Sequence, residues 1–173
     1  RVVARDGTRY SYIVWVDSGT RLPLRVDLLD RDGETLEQFR VVAFSVDAKV
    51  PDMMKKLEKA SLPPVLSVPD AGKNNFAWAP AWLPQGFSEI ANSRHPLPGL
   101  NVPVESRLYS DGLFSFSVNV SPAEGAVSDQ VLRTGRRTVN TQVRNNTEIS
   151  VVGELPPQTA KHIADSVKFK ASQ

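Results

Sequence analysis

Val104–Val120 reads VESRLYSDGLFSFSVNV, and its alternation decides the fold. Ser110-Asp111-Gly112 marks a turn between two runs in which apolar residues fall on every second position. Val104 and Leu108 lead in, Leu113 follows the turn, and Phe114, Phe116, Val118 and Val120 run out. A period of two describes a half-buried strand, and Asp-Gly between two such runs is a strong hairpin signal. Gly112 supplies the positive φ that the turn needs. A lone hairpin is marginal in water, so the neighbouring segments are expected to cover its apolar face.

Upstream, residues 9–16 (RYSYIVWV) alternate in the same way, and Asp17-Ser18-Gly19-Thr20 makes a turn. A second strand is expected over Leu22–Asp30, with Pro23 near its start where a missing N–H costs little. Arg31-Asp32-Gly33 is another hairpin turn, and Leu36–Val46 a third strand. The spacing predicts an antiparallel meander, apolar on one side, with Arg25, Asp27, Glu37 and Arg40 reaching the other side or the rim. Pro51–Ala60 reads as a short helix whose stripe of Met53, Met54 and Leu57 caps the sheet.

Residues 62–75 carry three prolines and no periodicity, the composition of a semi-rigid linker, and a domain boundary is placed there. Phe76, Trp78, Trp82 and Phe87 then crowd into twelve residues and read as the first core layer of a second domain. Phe87–Ala91 is a strand, and 94–103 a proline-rich loop that precedes the hairpin. Residues 127–132, 139–143 and 148–153 are further strands. Gln158–Val167 is a terminal helix with an apolar stripe of Ala160, Ile163, Ala164 and Val167. The division is 1–60 for a first part, 61–75 for the linker and 76–173 for the second domain. The fold class is mainly β (α+β).

With 40% hydrophobic and 23% charged residues the composition is that of a globular protein, and no apolar run nears the roughly 20 residues that span a bilayer. A net charge of +2 without a dense basic patch argues against nucleic-acid binding. The absence of cysteine excludes disulfides and thiolate chemistry. Arg1 opens what reads as the middle of a sheet, so a fragment or processed product is expected. No catalytic constellation is read. His95 and His162 lack metal-ligand spacing, no cofactor or P-loop motif occurs, and Asp32 and Asp111 are turn residues. The one charge cluster is Arg133, Arg136 and Arg137. It is either a solvated turn or a docking point for an acidic peptide or a lipid phosphate, which guanidinium forks bind at two points.

Residues 9–44 resemble the last meander of the N-terminal domain of the RseB/MucB family. Trp82-Leu83-Pro84-Gln85-Gly86-Phe87, Leu108-Tyr109-Ser110-Asp111-Gly112-Leu113, Leu132-Arg133-Thr134-Gly135 and Val152-Gly153-Glu154-Leu155-Pro156 resemble motifs of its C-terminal domain. The resemblance implies a periplasmic negative regulator of the sigma-E envelope-stress response rather than an enzyme. Such a regulator binds the periplasmic domain of a transmembrane anti-sigma factor, shields it from regulated proteolysis, and lets go on a lipid or lipopolysaccharide signal. It also implies an unclosed, lipoprotein-carrier-like half-barrel for the first part and an anti-sigma-binding second domain. The alternative is a periplasmic lipid- or lipoprotein-carrier module. Partner contacts are expected at Arg133, Arg136 and Arg137, with Phe114 or Phe116 packing near them and one of these two rings facing outward. A three-stranded remnant leaves strand edges open, so residues 1–60 are expected to need the missing segment, supplied by another piece or by a second copy in a homo-oligomer.

Overall fold

The computed structural model describes residues 1–64, 74–96, 102–123 and 128–170. Most of the expected linker lies outside these residues, as do parts of the proline-rich loop. The elements run β1 (Ser11–Val16), β2 (Pro23–Leu29), β3 (Thr35–Arg40), α1 (Val50–Glu58), β4 (Trp78–Pro80), β5 (Ser88–Pro96), β6 (Pro103–Ser110) and β7 (Ser115–Pro122). They continue with β8 (Gln130–Thr134), β9 (Arg137–Arg144), β10 (Thr147–Gly153), α2 (Pro157–Ser166) and β11 (Val167–Phe169). Every strand pairing among them is antiparallel.

Three open sheets result: β1-β2-β3, a six-stranded sheet in the order β5-β6-β7-β10-β9-β8, and the ribbon β11-β4. The hairpin of β6 and β7 sits inside the large sheet. Its connection is longer than a two-residue turn, because Ser110 pairs with Ser115 and Asp111–Phe114 form the loop. The Asp111 carboxylate accepts the backbone N–H groups of Leu113 (2.9 Å) and Phe114 (2.8 Å), and Gly112 takes a φ of +90°. That Asx-type capping fixes the register, which in turn decides which side of β7 is buried.

On β7 the pattern is strict: Phe116, Val118 and Val120 are buried while Ser115, Ser117 and Asn119 are not. Phe114 and Phe116 therefore share the inner face, both almost fully buried, and neither ring faces outward as expected. The reason is parity, since residues two apart on a strand point the same way. Each buried aromatic side chain contributes about 2–3 kcal/mol of hydrophobic stabilisation. The inner face is covered by α2 over β9 and β10, through Ala160, Ile163 and Ala164, and by the aromatic residues Phe76, Trp78 and Phe87 near β5 to β7. One core cluster includes all of these together with Tyr10 and Leu28 of the three-stranded sheet.

Three sequence expectations change. β3 ends at Arg40, not Val46. The strand expected to stop at Ala91 runs on to Pro96, paired with β6 through His95↔Val104. The helix α1 caps nothing among the described residues: Met53, Met54 and Leu57 are all more than half exposed. Its nine residues have the right stripe but no element packed beneath it, and a stripe alone does not bury a helix.

The tyrosines report the packing. Burial pushes the Tyr109 hydroxyl up to about 12, with Glu89 raising it further and Arg107 opposing. Burial also raises Tyr10 and Tyr12. These are all three tyrosines of the chain. A phenol whose folded-state value is raised favours folding fully below its unfolded value near 10, and that contribution is lost as the pH rises through the raised folded-state value. An alkaline titration followed by phenolate absorbance is expected to show ionisation displaced above pH 10 in the native protein and ordinary ionisation around pH 10 in urea. A tyrosine titrating normally in the native state would contradict this packing.

Candidate partner-binding site

The first candidate feature is the seam where the three-stranded sheet lies against the large one. Arg9 enters it just before β1. Its Nε donates to Asp111 Oδ2 at 2.6 Å, its Nη2 donates to the Gln85 carbonyl, and its guanidinium lies 4.7 Å from the centre of the Phe87 ring. The Tyr10 hydroxyl donates to the Leu155 carbonyl (2.9 Å), which also accepts from Thr138 Oγ1 (2.6 Å). Tyr12 stacks on Phe114 with centroids 5.3 Å apart, and Thr159 Oγ1 donates to the Thr8 carbonyl. Burial raises the carboxyl of Asp111, but the amides of Phe114 and Leu113 and the Arg9 guanidinium together hold it below the ordinary 3.8.

The arginine cluster divides across this seam. Arg133 pairs with Asp30 at 2.7 Å, and its guanidinium lies 5.7 Å from the Tyr10 ring centre. Arg136 bridges Glu37 (3.1 Å) and Glu154 (3.0 Å). Glu37 was expected on the polar side of the meander, yet it lies opposite Leu28 and so shares the apolar, seam-facing side. Arg137 is exposed and makes no ion pair among the described residues. Its strand parity puts it on the outer face of the large sheet with Val139 and Thr141. The structure thus brings Arg133 and Arg136 together in the seam, leaves Arg137 on the other side, and keeps Phe114 and Phe116 inside.

That outer face is the second candidate feature. The register lines up Ser93, Ser106, Asn119, Ser150, Thr141 and Gln130 in one row across all six strands. Within it Ser106 Oγ donates to Asn119 Oδ1 at 2.7 Å, and Asn119 Nδ2 donates to Ser117 Oγ at 3.1 Å. The adjacent row is Ala91, Leu108, Ser117, Val152, Val139 and Leu132. Neither row contains a charge. A third feature is a groove of about 580 Å³ at one end of the sheet, walled by Trp78, Phe169, Pro103 and Pro122 and edged by Arg94 and Glu105.

No group of His, Asp and Glu side chains among the described residues could hold a metal ion, and no helix there is long and apolar enough to cross a membrane. Sequence reading singled out the arginines as a cluster and took Asp111 for a turn residue, and it did not see the pairings with Asp30, Glu37 and Arg9. Their partners lie about a hundred residues away, where no local spacing points to them.

Open antiparallel sheets packed through a polar seam define a mainly β protein built from two sheet units. The family comparison specifies which. The model described as MucB/RseB C-terminal domain matches residues 72–168, and the MucB/RseB N-terminal domain matches residues 1–66. The chain belongs to the MucB/RseB family. It is 68% identical, over its whole length, to the sigma-E factor regulatory protein RseB of Salmonella typhimurium, and spans 55% of that protein. Among solved structures it is similar to MucB in complex with MucA(peri), at 30% identity and a TM-score of 0.76, covering 98% of this chain and 61% of that one. It is also similar to a crystal structure of MucB, at 26% identity and a TM-score of 0.54, covering 96% of this chain and 55% of that one.

Proposed function

We propose that this protein is a negative regulator of the sigma-E envelope-stress response. It binds the periplasmic region of a membrane anti-sigma factor, shields that region from regulated proteolysis, and releases it on a lipid or lipopolysaccharide signal. The observation that carries this reading is the match, over nearly the whole chain, to MucB in complex with MucA(peri). The 68% identity to a sigma-E regulatory protein supports it. Relatives are named as regulatory proteins. The mechanism is steric. A segment held against the sheets is withheld from a protease, and the site of action is the periplasm.

Within this reading Arg137 meets the partner directly, because it stands exposed on the outer face next to rows of uncharged side chains. Arg133 and Arg136 act through the seam, and Phe114 and Phe116 act by shaping the sheet from inside. An exposed arginine at the rim of an interface chiefly speeds association. Arg137→Glu is therefore expected to slow association with the anti-sigma segment by about threefold, more at low salt than at high salt.

The test uses the full-length protein with the purified periplasmic segment of the anti-sigma factor from the same bacterium. Calorimetry should show a stoichiometric complex, and the bound segment should resist the protease that cleaves it when free. No complex, together with lipid co-purifying in stoichiometric amount, would overturn the regulatory reading in favour of a carrier.

A further inference from the structure

The two MucB comparisons differ in a way that sequence distance does not explain. Identity to this chain is 30% in one and 26% in the other, and coverage is nearly complete in both, yet the TM-scores are 0.76 and 0.54. In this chain the two sheet units meet at the seam described above, and the chain superposes better on MucB in complex with MucA(peri) than on the other MucB structure.

The seam is what holds them there. Its apolar part is small, essentially Tyr10, Tyr12, Leu28 and Leu36, and the rest is hydrogen bonds and ion pairs. Seams of this mixed character between units of one chain are mobile unless something fastens them. Three carboxylate–guanidinium contacts do so at separate points: Arg9 with Asp111, Asp30 with Arg133, and Glu37 with Arg136. In the first the cation comes from the small-sheet side, and in the other two the carboxylates do, so each side presents both signs. A shifted register would oppose like charges, which selects one docking arrangement.

We propose that these ion pairs are a latch holding the two sheet units in the arrangement that binds the anti-sigma segment, so that seam closure and partner affinity form one coupled equilibrium. Arg9, Arg133 and Arg136 are then positioning residues. They contribute to affinity by populating the competent arrangement, since apparent affinity falls with the fraction of molecules that are closed. This rests on the regulatory reading above and adds to it the means by which binding is regulated.

The test again uses the full-length protein, with spin labels on cysteines introduced at the exposed positions Glu34 and Gln158. Asp30→Arg combined with Glu37→Arg sets arginine against Arg133 and Arg136. The expected result is a wider distribution of label distances and a roughly tenfold loss of affinity for the anti-sigma segment. Adding Arg133→Asp and Arg136→Glu, which restores both pairs with signs exchanged, should recover the narrow distribution and the affinity together. Recovery under exchanged signs is something a direct partner contact cannot show. A widened distribution with unchanged affinity, or lost affinity with an unchanged distribution, overturns the latch. If the unaltered protein binds no anti-sigma segment, the regulatory reading fails and the coupling fails with it. Binding indifferent to seam opening removes the latch alone.

Discussion

Gly153→Ala is expected to destabilise the fold by about 3 kcal/mol, at the upper end of the cost of overfilling a packed core. Gly153 ends β10 and pairs directly with Phe116 of β7. A Cβ there would fall 2.5 Å from the Phe116 Cα and 2.6 Å from the Ser115 carbonyl oxygen, distances that real Cβ atoms essentially never show. Both are backbone atoms, so no side chain can swing aside, and the strands must part where the core is densest. The residue is glycine for lack of room, because its φ is one that any residue adopts. At roughly 2–4 °C per kcal/mol for a chain of this size, the melting temperature should fall by about 6–12 °C. Calorimetric melting of the two proteins checks this. A fall of under 2 °C would mean that β7 and β10 separate freely and that the packing described is wrong.

The second large effect is expected at Asp111. Its carboxylate closes the β6–β7 loop on two backbone amides and also receives Arg9 across the seam, with both side chains nearly nine-tenths buried. Asp111→Ala removes the loop cap and leaves the buried Arg9 guanidinium only its longer 3.8 Å contact with Asp6, a combination costing about 3 kcal/mol. Asp111→Asn keeps an oxygen for the amides and loses the charge, so it should cost less. The pH dependence separates the two contributions. The folded-state value of Asp111 lies below its ordinary 3.8, so its stabilisation is complete above that value and is lost as the pH falls through the folded-state value. The difference in urea midpoint between wild type and Asp111→Asn should hold from pH 7 to about 5 and narrow steadily below 4. A constant difference down to pH 3 would mean that the Arg9–Asp111 pair contributes nothing.

The strands that build the large sheet were legible because their signal is local. Alternation in Val104–Val120, the Asp-Gly turns and the apolar run ending in Gly153 each involve a few neighbouring residues. The alternation also held the answer about Phe114 and Phe116, which parity alone puts on one face. The site was less legible. Arg133 and Arg136 stood out as a basic turn, but their partners Asp30 and Glu37 lie on a hairpin a hundred residues earlier, and only folding brings them together. Asp111 read as a turn residue, which it is. Nothing near it indicated that the same carboxylate also ties down Arg9. The helix α1 shows the opposite failure, since a clear stripe was present and nothing in the described structure lies against it.

The seam also orders events during synthesis and folding. Thr8 and Tyr10 find their partners at Thr159 and Leu155, separations of 151 and 145 residues, nearly the length of the chain. The three-stranded meander can form from local contacts, but Tyr10, Tyr12 and Leu28 stay uncovered until the last strands and α2 have been made. Contacts this distant in sequence close slowly and late, and apolar strand faces that wait for them are prone to association. The earlier-made meander therefore depends on the later-made α2. A general chaperone that holds the nascent meander until α2 docks would act at the most exposed moment of this protein's folding.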